Sequence, residues 1–234
     1  MSLADNLACV RQLIAEAARR AGRRPQDVAL MAVTKTFPPE MIREAYNASQ
    51  RLFGENRVQE FAEKAPWLTD LPEIEFHLIG HLQSNKAAKA AQMFSGIDSV
   101  DSLHLAEKLN AAAEKAGKQL QVLIEINVGG EAAKSGVAPD SPELESLLTA
   151  APRLEGLQFH GLMSIPPFTE SPEGARPFFR TLRELRNQIA ARKLPAVGMD
   201  TLSMGMSHDF EIAIEEGSTR VRVGTAIFGP RTKT

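Results

Sequence analysis

The stretch ALMAVTKTFPPE (29–40) opens on five apolar residues and closes on a lysine, two threonines and two prolines. Its apolar run has the length of a buried strand, and the prolines permit a helix to start close behind it. A doubly wound sheet would follow its first strand with a glycine-rich phosphate turn, but TKTFPPE (34–40) contains no glycine. Outward from this unit the same alternation repeats. Short apolar runs near 29–35, 51–54, 75–79, 96–100, 121–127, 154–161, 198–203 and 219–223 predict strands. Segments of helical period lie between them near 38–49, 56–65, 84–93, 102–116, 140–150, 173–193 and 208–216. Asp101-Ser102 and Ser141-Pro142 supply helix starts. Eight strand–helix units without a linker or a shift in composition predict an α/β protein, a single (β/α)₈ TIM barrel over 1–234 preceded by an N-terminal helix, a fold that typically takes about 250 residues.

The chain has 234 residues and carries 27 Lys and Arg against 29 Asp and Glu, a formal charge of −2. Binding to nucleic acid draws on a surplus of basic side chains, so no nucleic-acid partner is expected. At 43% hydrophobic and 24% charged the composition is that of a globular protein able to fill a core. Cys9 is the one cysteine, which excludes an internal disulfide and a thiolate metal site. The first segment places Asp5, Arg11 and Glu16 where a signal peptide needs an apolar core, while Leu3, Leu7, Val10, Ile14, Ala17 and Ala21 recur at helical spacing. No apolar run is long enough to span a bilayer. The expectation is a cytoplasmic protein with no membrane partner.

In a barrel the chemistry gathers where the strands end. Those ends read Lys35; Glu55 and Asn56; GHLQ (80–83); Asp98, Ser99 and Asp101; Asn127; His160, Met163 and Ser164; Ser203, Met204 and Ser207; then Arg222, Gly224 and Thr225. A lysine whose stem lies inside the mouth has its amine desolvated and ready to attack a carbonyl as the neutral base. The alternative for Lys35 is a side chain that snorkels into solvent. The segment 203–229 holds two turns, SMGMS and VGT, each with a glycine beside a hydroxyl residue and each leading into a helical stretch. Loops after the seventh and eighth strands commonly bind phosphate in this fold, so Ser207, Thr225, Gly205 and Gly224 form a candidate phosphate cup. Arg220 and Arg222 share one strand face, and an inward Arg could address a heteroaromatic nitrogen; an outward one would make only surface ion pairs. An amine, a phosphate cup and a guanidinium match the three handles of pyridoxal 5'-phosphate: aldehyde, phosphate and ring nitrogen.

These segments also carry a family resemblance. AVTKT (32–36), FGENRVQE (53–60), FHLIGHLQSNK (76–86), VDSL (100–103), Glu131, Lys134 and Gly136 within NVGGEAAKSG, HGLMSI (160–165), LSMGMSHDFEIAI (202–214) and GSTRVRVGTAIFG (217–229) resemble the YggS/PROSC family of pyridoxal phosphate homeostasis proteins. The matches run in order over essentially the whole chain. The resemblance implies a barrel related to the N-terminal domain of alanine racemase, with pyridoxal 5'-phosphate held on Lys35 as an internal aldimine. It further implies phosphate contacts from Ser207, Gly224 and Thr225, Arg222 at the pyridine nitrogen, and Asn56, His81, Met163 and Ser164 around the same mouth. The segment holding Lys134 flanks the site by the same comparison.

Racemisation needs proton donors on both faces of the cofactor, the second usually a tyrosine. Tyr46 is the one tyrosine, it lies in the helix after Lys35, and the chain ends soon after the eighth strand, where racemases continue into a second domain. His81 or Ser164 could substitute as a base. An arginine at the ring nitrogen also weakens the cofactor as an electron sink. The expected function is therefore binding and delivery of pyridoxal phosphate in vitamin B6 homeostasis, with apo forms of dependent enzymes as partners and a monomeric state. A racemase of the alanine type is the enzymatic alternative, and an aldolase acting on a phosphorylated sugar a more remote one.

Several features are set aside. GGEAAKSG (129–136) has Ala133 where a P-loop requires glycine. His77 and His81 straddle a strand end rather than share a helix face, so no metal site is expected. Trp67 and Phe178-Phe179 read as packing residues, His104 and His208 as helix-start or surface groups, and His160 as a buried strand residue. Glu215-Glu216 reads as a solvated helix face, and 162–172 (LMSIPPFTESP) as a mobile loop.

Overall fold

A computed structural model describes residues 2–131 and 135–230. Eight parallel strands close into one barrel in chain order, with the first bonded to the last. They are β1 (Ala29–Val33), β2 (Leu52–Glu55), β3 (Glu75–Leu78), β4 (Gly96–Val100), β5 (Leu120–Glu125), β6 (Leu157–Met163), β7 (Val197–Met206) and β8 (Arg220–Val223). Helices α1 (Leu3–Arg20), α2 (Pro39–Asn47), α3 (Val58–Lys64), α4 (Ala87–Met93), α5 (Leu103–Lys115), α6 (Pro142–Ala150), α7 (Arg176–Ala191), α8 (Phe210–Glu215) and α9 (Thr225–Phe228) surround it. No helix among the described residues is long and apolar enough to cross a membrane.

The helix starts follow their local chemistry. Ser2 and Asp5 form a reciprocal capping box on α1, Ser102 caps α5 and Ser141 caps α6. The apolar stripe of α1 buries Leu3, Leu7, Val10, Ile14, Ala17 and Ala18, each large side chain stabilising the fold by roughly 1.5–3 kcal/mol relative to exposure. That stripe packs on α2, α8 and α9, and the Asn6 amide donates to the Ile227 carbonyl. The N-terminal helix thus laps the seam where β1 meets β8.

Strand alternation sorts the rest. Outward residues such as Ala32, Leu78, Val221 and Val223 join the large core under the helices, where Phe53, Phe61, Phe76 and Phe94 stack with centroids 4.4 to 5.5 Å apart. Met31, Val33 and Ile79 form a separate small cluster inside the barrel. Around it the interior is polar, holding His77, Asp98, Glu125, Ser203, Arg220 and Arg222.

Several expectations need correction. β6 begins at Leu157 rather than 154 and runs to Met163, so two residues of the expected 162–172 loop belong to the strand. His160 is half-exposed instead of buried, because the register skips there, from Phe159 opposite Val197 to Gly161 opposite Thr201. A Cβ on Gly161 would lie 1.8 Å from the Thr201 carbonyl oxygen, so only glycine lets the strands close at this bulge. β7 extends to Met206 through the expected SMGMS turn. A step of three along β7, from Ser203 to Met206, matches a step of two along β8, from Arg220 to Arg222, and Gly205 absorbs the bulge with φ 92°. Trp67 is 67% exposed, because it ends a turn after α3 whose carbonyl is taken by Arg43. Glu216 is buried, not solvated: Arg176, Arg180 and Arg183 of α7 all reach it. Asp98 belongs to a deeper layer than the mouth, where it meets His77 and Arg220.

Candidate functional site

A cavity of about 210 Å³ opens at the C-terminal end of the strands, lined among others by Lys35, Asn56, Ser207, Arg222, Gly224 and Thr225. Val33 and Ile79 supply its apolar floor, and Ile165, Met206 and His208 its outer wall. Lys35 gets there by alternation, since Met31, Val33 and Lys35 are spaced two apart along one inward face. It is half-buried and sits in a turn closed by the Phe37 N–H donating to the Thr34 carbonyl.

Beside Lys35, β8 and its neighbour β7 deliver the two loops, since β1 pairs with β8. The Gly224 N–H donates to the Ser207 hydroxyl at 3.3 Å, which ties the loops together. Thr225 begins the single turn of α9, and the first amides of a helix have no carbonyl within that helix to bond. Asp209 holds the approach to this corner: its carboxylate accepts the Met206 N–H at 2.7 Å. Burial pushes the Asp209 carboxyl up, against the pull of that N–H and of Arg222.

Arg222 is only 3% exposed, and its guanidinium is held by three acceptors. It donates to the Ser203 carbonyl at 2.8 Å, to the Ser203 hydroxyl at 2.7 Å and to the Ser164 carbonyl at 2.7 Å. Burial pulls it below the ordinary arginine value, while Asp98, Glu125 and Asp209 favour its charge. None of these acids makes a hydrogen bond to it, so its cationic edge is fixed by neutral groups and set into the cavity wall.

The remaining expected residues lie around the rim or behind the wall. His81 is an exposed side chain whose ring pairs with Asp101 at 3.1 Å. Met163 is fully buried at the end of β6, and Ser164 contributes its carbonyl to Arg222 while its own hydroxyl is buried without a hydrogen-bond partner. Neither lines the cavity. Lys134 lies outside the described residues. Three groups escaped the sequence reading: Asp209; His208, which lines the cavity and stacks on Phe168 at 5.7 Å; and Glu125. Glu125 is 6% exposed, with one carboxylate oxygen unpartnered. Burial and the charge of Asp101 push it up to about 7, against the attraction of Arg222.

Comparison with known proteins bears directly on this arrangement. The family model for the alanine racemase N-terminal domain matches residues 6–232. A pyridoxal phosphate homeostasis protein of Aquifex aeolicus is 46% identical over 231 residues, covering 99% of both chains. The chain belongs to the pyridoxal phosphate homeostasis protein family. Among solved structures, PipY from Synechococcus elongatus, determined with PLP bound, is 38% identical, with a TM-score of 0.84 over 97% of this chain and all of that one. The alanine racemase of Clostridium difficile matches 98% of this chain but 58% of its own, at 15% identity and a TM-score of 0.70, a likeness of fold alone.

Proposed function

We propose that this cavity binds pyridoxal 5'-phosphate and that the protein serves its homeostasis as a carrier. The observation that carries the reading is the convergence of Lys35, Arg222 and the two glycine–hydroxyl loops on one cavity, in a chain 38% identical to a protein solved with PLP bound. The donor set suits the ligand. Ser207, Gly224 and Thr225, with the first amides of α9, would hold the phosphate by hydroxyl and backbone donors. Arg222 would face the ring nitrogen, and Lys35 would be the covalent handle. Asn56 would flank the ring from the other side of the cavity, with Ile79 beneath it. Bound there, the cofactor would supply an aldehyde reactive toward a primary amine, and Lys35 is the amine that lines the cavity.

Delivery fits these residues better than turnover. A guanidinium does not give up its proton to the ring nitrogen, so the ring remains a weak electron sink. The one tyrosine is spent on the outer layer, where the Tyr46 hydroxyl donates to the Pro72 carbonyl. Recipients would be apo forms of dependent enzymes, met by a monomeric carrier in the cytoplasm. The test incubates purified protein and Lys35→Ala with pyridoxal 5'-phosphate, then mixes each with an apoenzyme and with L-alanine. Expected are a visible band in the wild type alone, restored activity of the acceptor, and no D-alanine. A wild type without the band refutes the binding site, and racemisation without transfer refutes the carrier.

A further inference from the structure

The backbone on both sides of Lys35 is held by side chains that do not line the cavity. Thr34, fully buried, donates its hydroxyl to Glu55 at 2.8 Å and accepts Lys64 Nζ on its carbonyl at 2.9 Å. Thr36 donates its N–H to Glu60 at 2.5 Å. Lys64 closes the arrangement, since its ammonium also donates to Glu55 at 3.0 Å and to Glu60 at 2.7 Å. An ammonium has three protons, and Thr34, Glu55 and Glu60 take one each.

Two further observations separate this from an incidental ion pair. Thr36 takes φ 69°, a region that β-branched residues adopt only where the surroundings hold them there. Its N–H is the group that Glu60 grips. A buried ion pair also gives a fold little net stability over apolar packing, so the bond pattern is the more informative feature. Here every bond from Lys64 leads, directly or through one carboxylate, to a neighbour of Lys35. Burial pushes Glu55 up and Lys64 opposes it; in Glu60 the bonds from Lys64 and Thr36 outweigh burial and lower it.

We propose that Lys64 is a positioning residue for Lys35: with Glu55 and Glu60 it clamps Thr34 and Thr36, and so fixes the direction in which the Lys35 amine enters the cavity. This rests on the reading of Lys35 as the covalent handle. The clamp should govern covalent capture of an aldehyde and leave recognition of the phosphate untouched.

The experiment compares wild type, Glu60→Ala, Glu60→Gln and the charge-neutral double variant Lys64→Met with Glu55→Gln, which avoids stranding a buried carboxylate. One readout, in cofactor-free protein, is hydrogen exchange at the Thr36 amide. The others are the fraction of pyridoxal 5'-phosphate fixed to Lys35 after borohydride reduction, and the affinity for pyridoxine 5'-phosphate, which lacks the aldehyde. Glu60→Ala and the double variant should exchange Thr36 faster and fix roughly tenfold less cofactor at subsaturating concentration, as expected for a misaimed nucleophile. Their affinity for pyridoxine 5'-phosphate should stay at the wild-type value. Glu60→Gln keeps the acceptor for Thr36 and should restore both defects. Equal exchange and capture in all variants would overturn the proposal, as would a parallel loss for both ligands, which marks general damage. A wild type that protects Thr36 but never fixes cofactor would refute the role of Lys35, and with it the purpose of the clamp.

Discussion

Two carboxyl groups face the inside of this barrel, and they behave in opposite ways. Asp98, toward the N-terminal end, accepts from His77 at 2.7 Å and from Arg220 at 3.1 Å. Burial pushes it up, but these two partners outweigh burial and hold it at about 2. Glu125, toward the mouth, has Asp101 as a like-charged neighbour, an unpartnered oxygen and a value near 7. The two arginines of β8 divide in the same way: Arg220 is bound to a carboxylate, while Arg222, two residues on, is held by two carbonyls and a hydroxyl. The lower layer pairs its carboxylate with a histidine and an arginine, although Arg220 Nε and His77 Nε2 make no hydrogen bond. The upper layer keeps its arginine on neutral acceptors and its carboxyl beside a like charge, so it is charge pairing that separates the two layers.

Breaking the lower layer should have the largest effect. Asp98→Ala leaves the part-buried Arg220 without its carboxylate and should lower unfolding free energy by about 3–5 kcal/mol, read from urea denaturation, with ligand affinity of the folded fraction retained. The upper acid sets the next effect. Glu125 binds its proton more tightly folded than unfolded, so stability is full below its ordinary 4.5 and falls as pH rises toward about 7. The loss should come to about 3 kcal/mol when followed in a series of denaturation curves, and Glu125→Gln should flatten that slope. Asp98 has the opposite sign. Its depressed value gives stability above its ordinary 3.8 that is lost as pH falls toward about 2, worth about 2 kcal/mol and missing from Asp98→Asn. Smallest is Arg222→Met, which should weaken retention of pyridoxal 5'-phosphate about tenfold in equilibrium dialysis, because one charged donor is lost while the phosphate cup remains.

The barrel was legible because the outward face of each strand is buried under the helices, which leaves eight short runs carrying apolar residues, and eight such runs admit few closures. That Lys35, Ser207, Arg222, Gly224 and Thr225 line one cavity was legible for a related reason: strand ends converge in this fold, so order along the chain predicts proximity. What escaped depended on partners distant in sequence. Nothing near Asp98 announces Arg220, which joins it across the barrel, and Glu125 looks like any strand residue until Asp101 is beside it. Glu216 read as surface because its three arginines come from a helix some forty positions earlier. His160 and the extension of β7 were hidden by bulges, which break the two-residue period on which strand reading relies.

The bonding of β1 to β8 has a consequence for how the site comes into being. Lys35 follows the first strand, whereas Ser207, Arg222, Gly224 and Thr225 arrive with the last two. During synthesis the amine exists for most of the chain's emergence without the loops that would steer a phosphate toward it. A partly made or internally unfolded chain therefore offers reactive aldehydes only an ordinary lysine. On the proposed reading of Lys35 and the two loops, uptake of cofactor would wait on the pairing of the first strand with the last, and loading would report that the ring has closed.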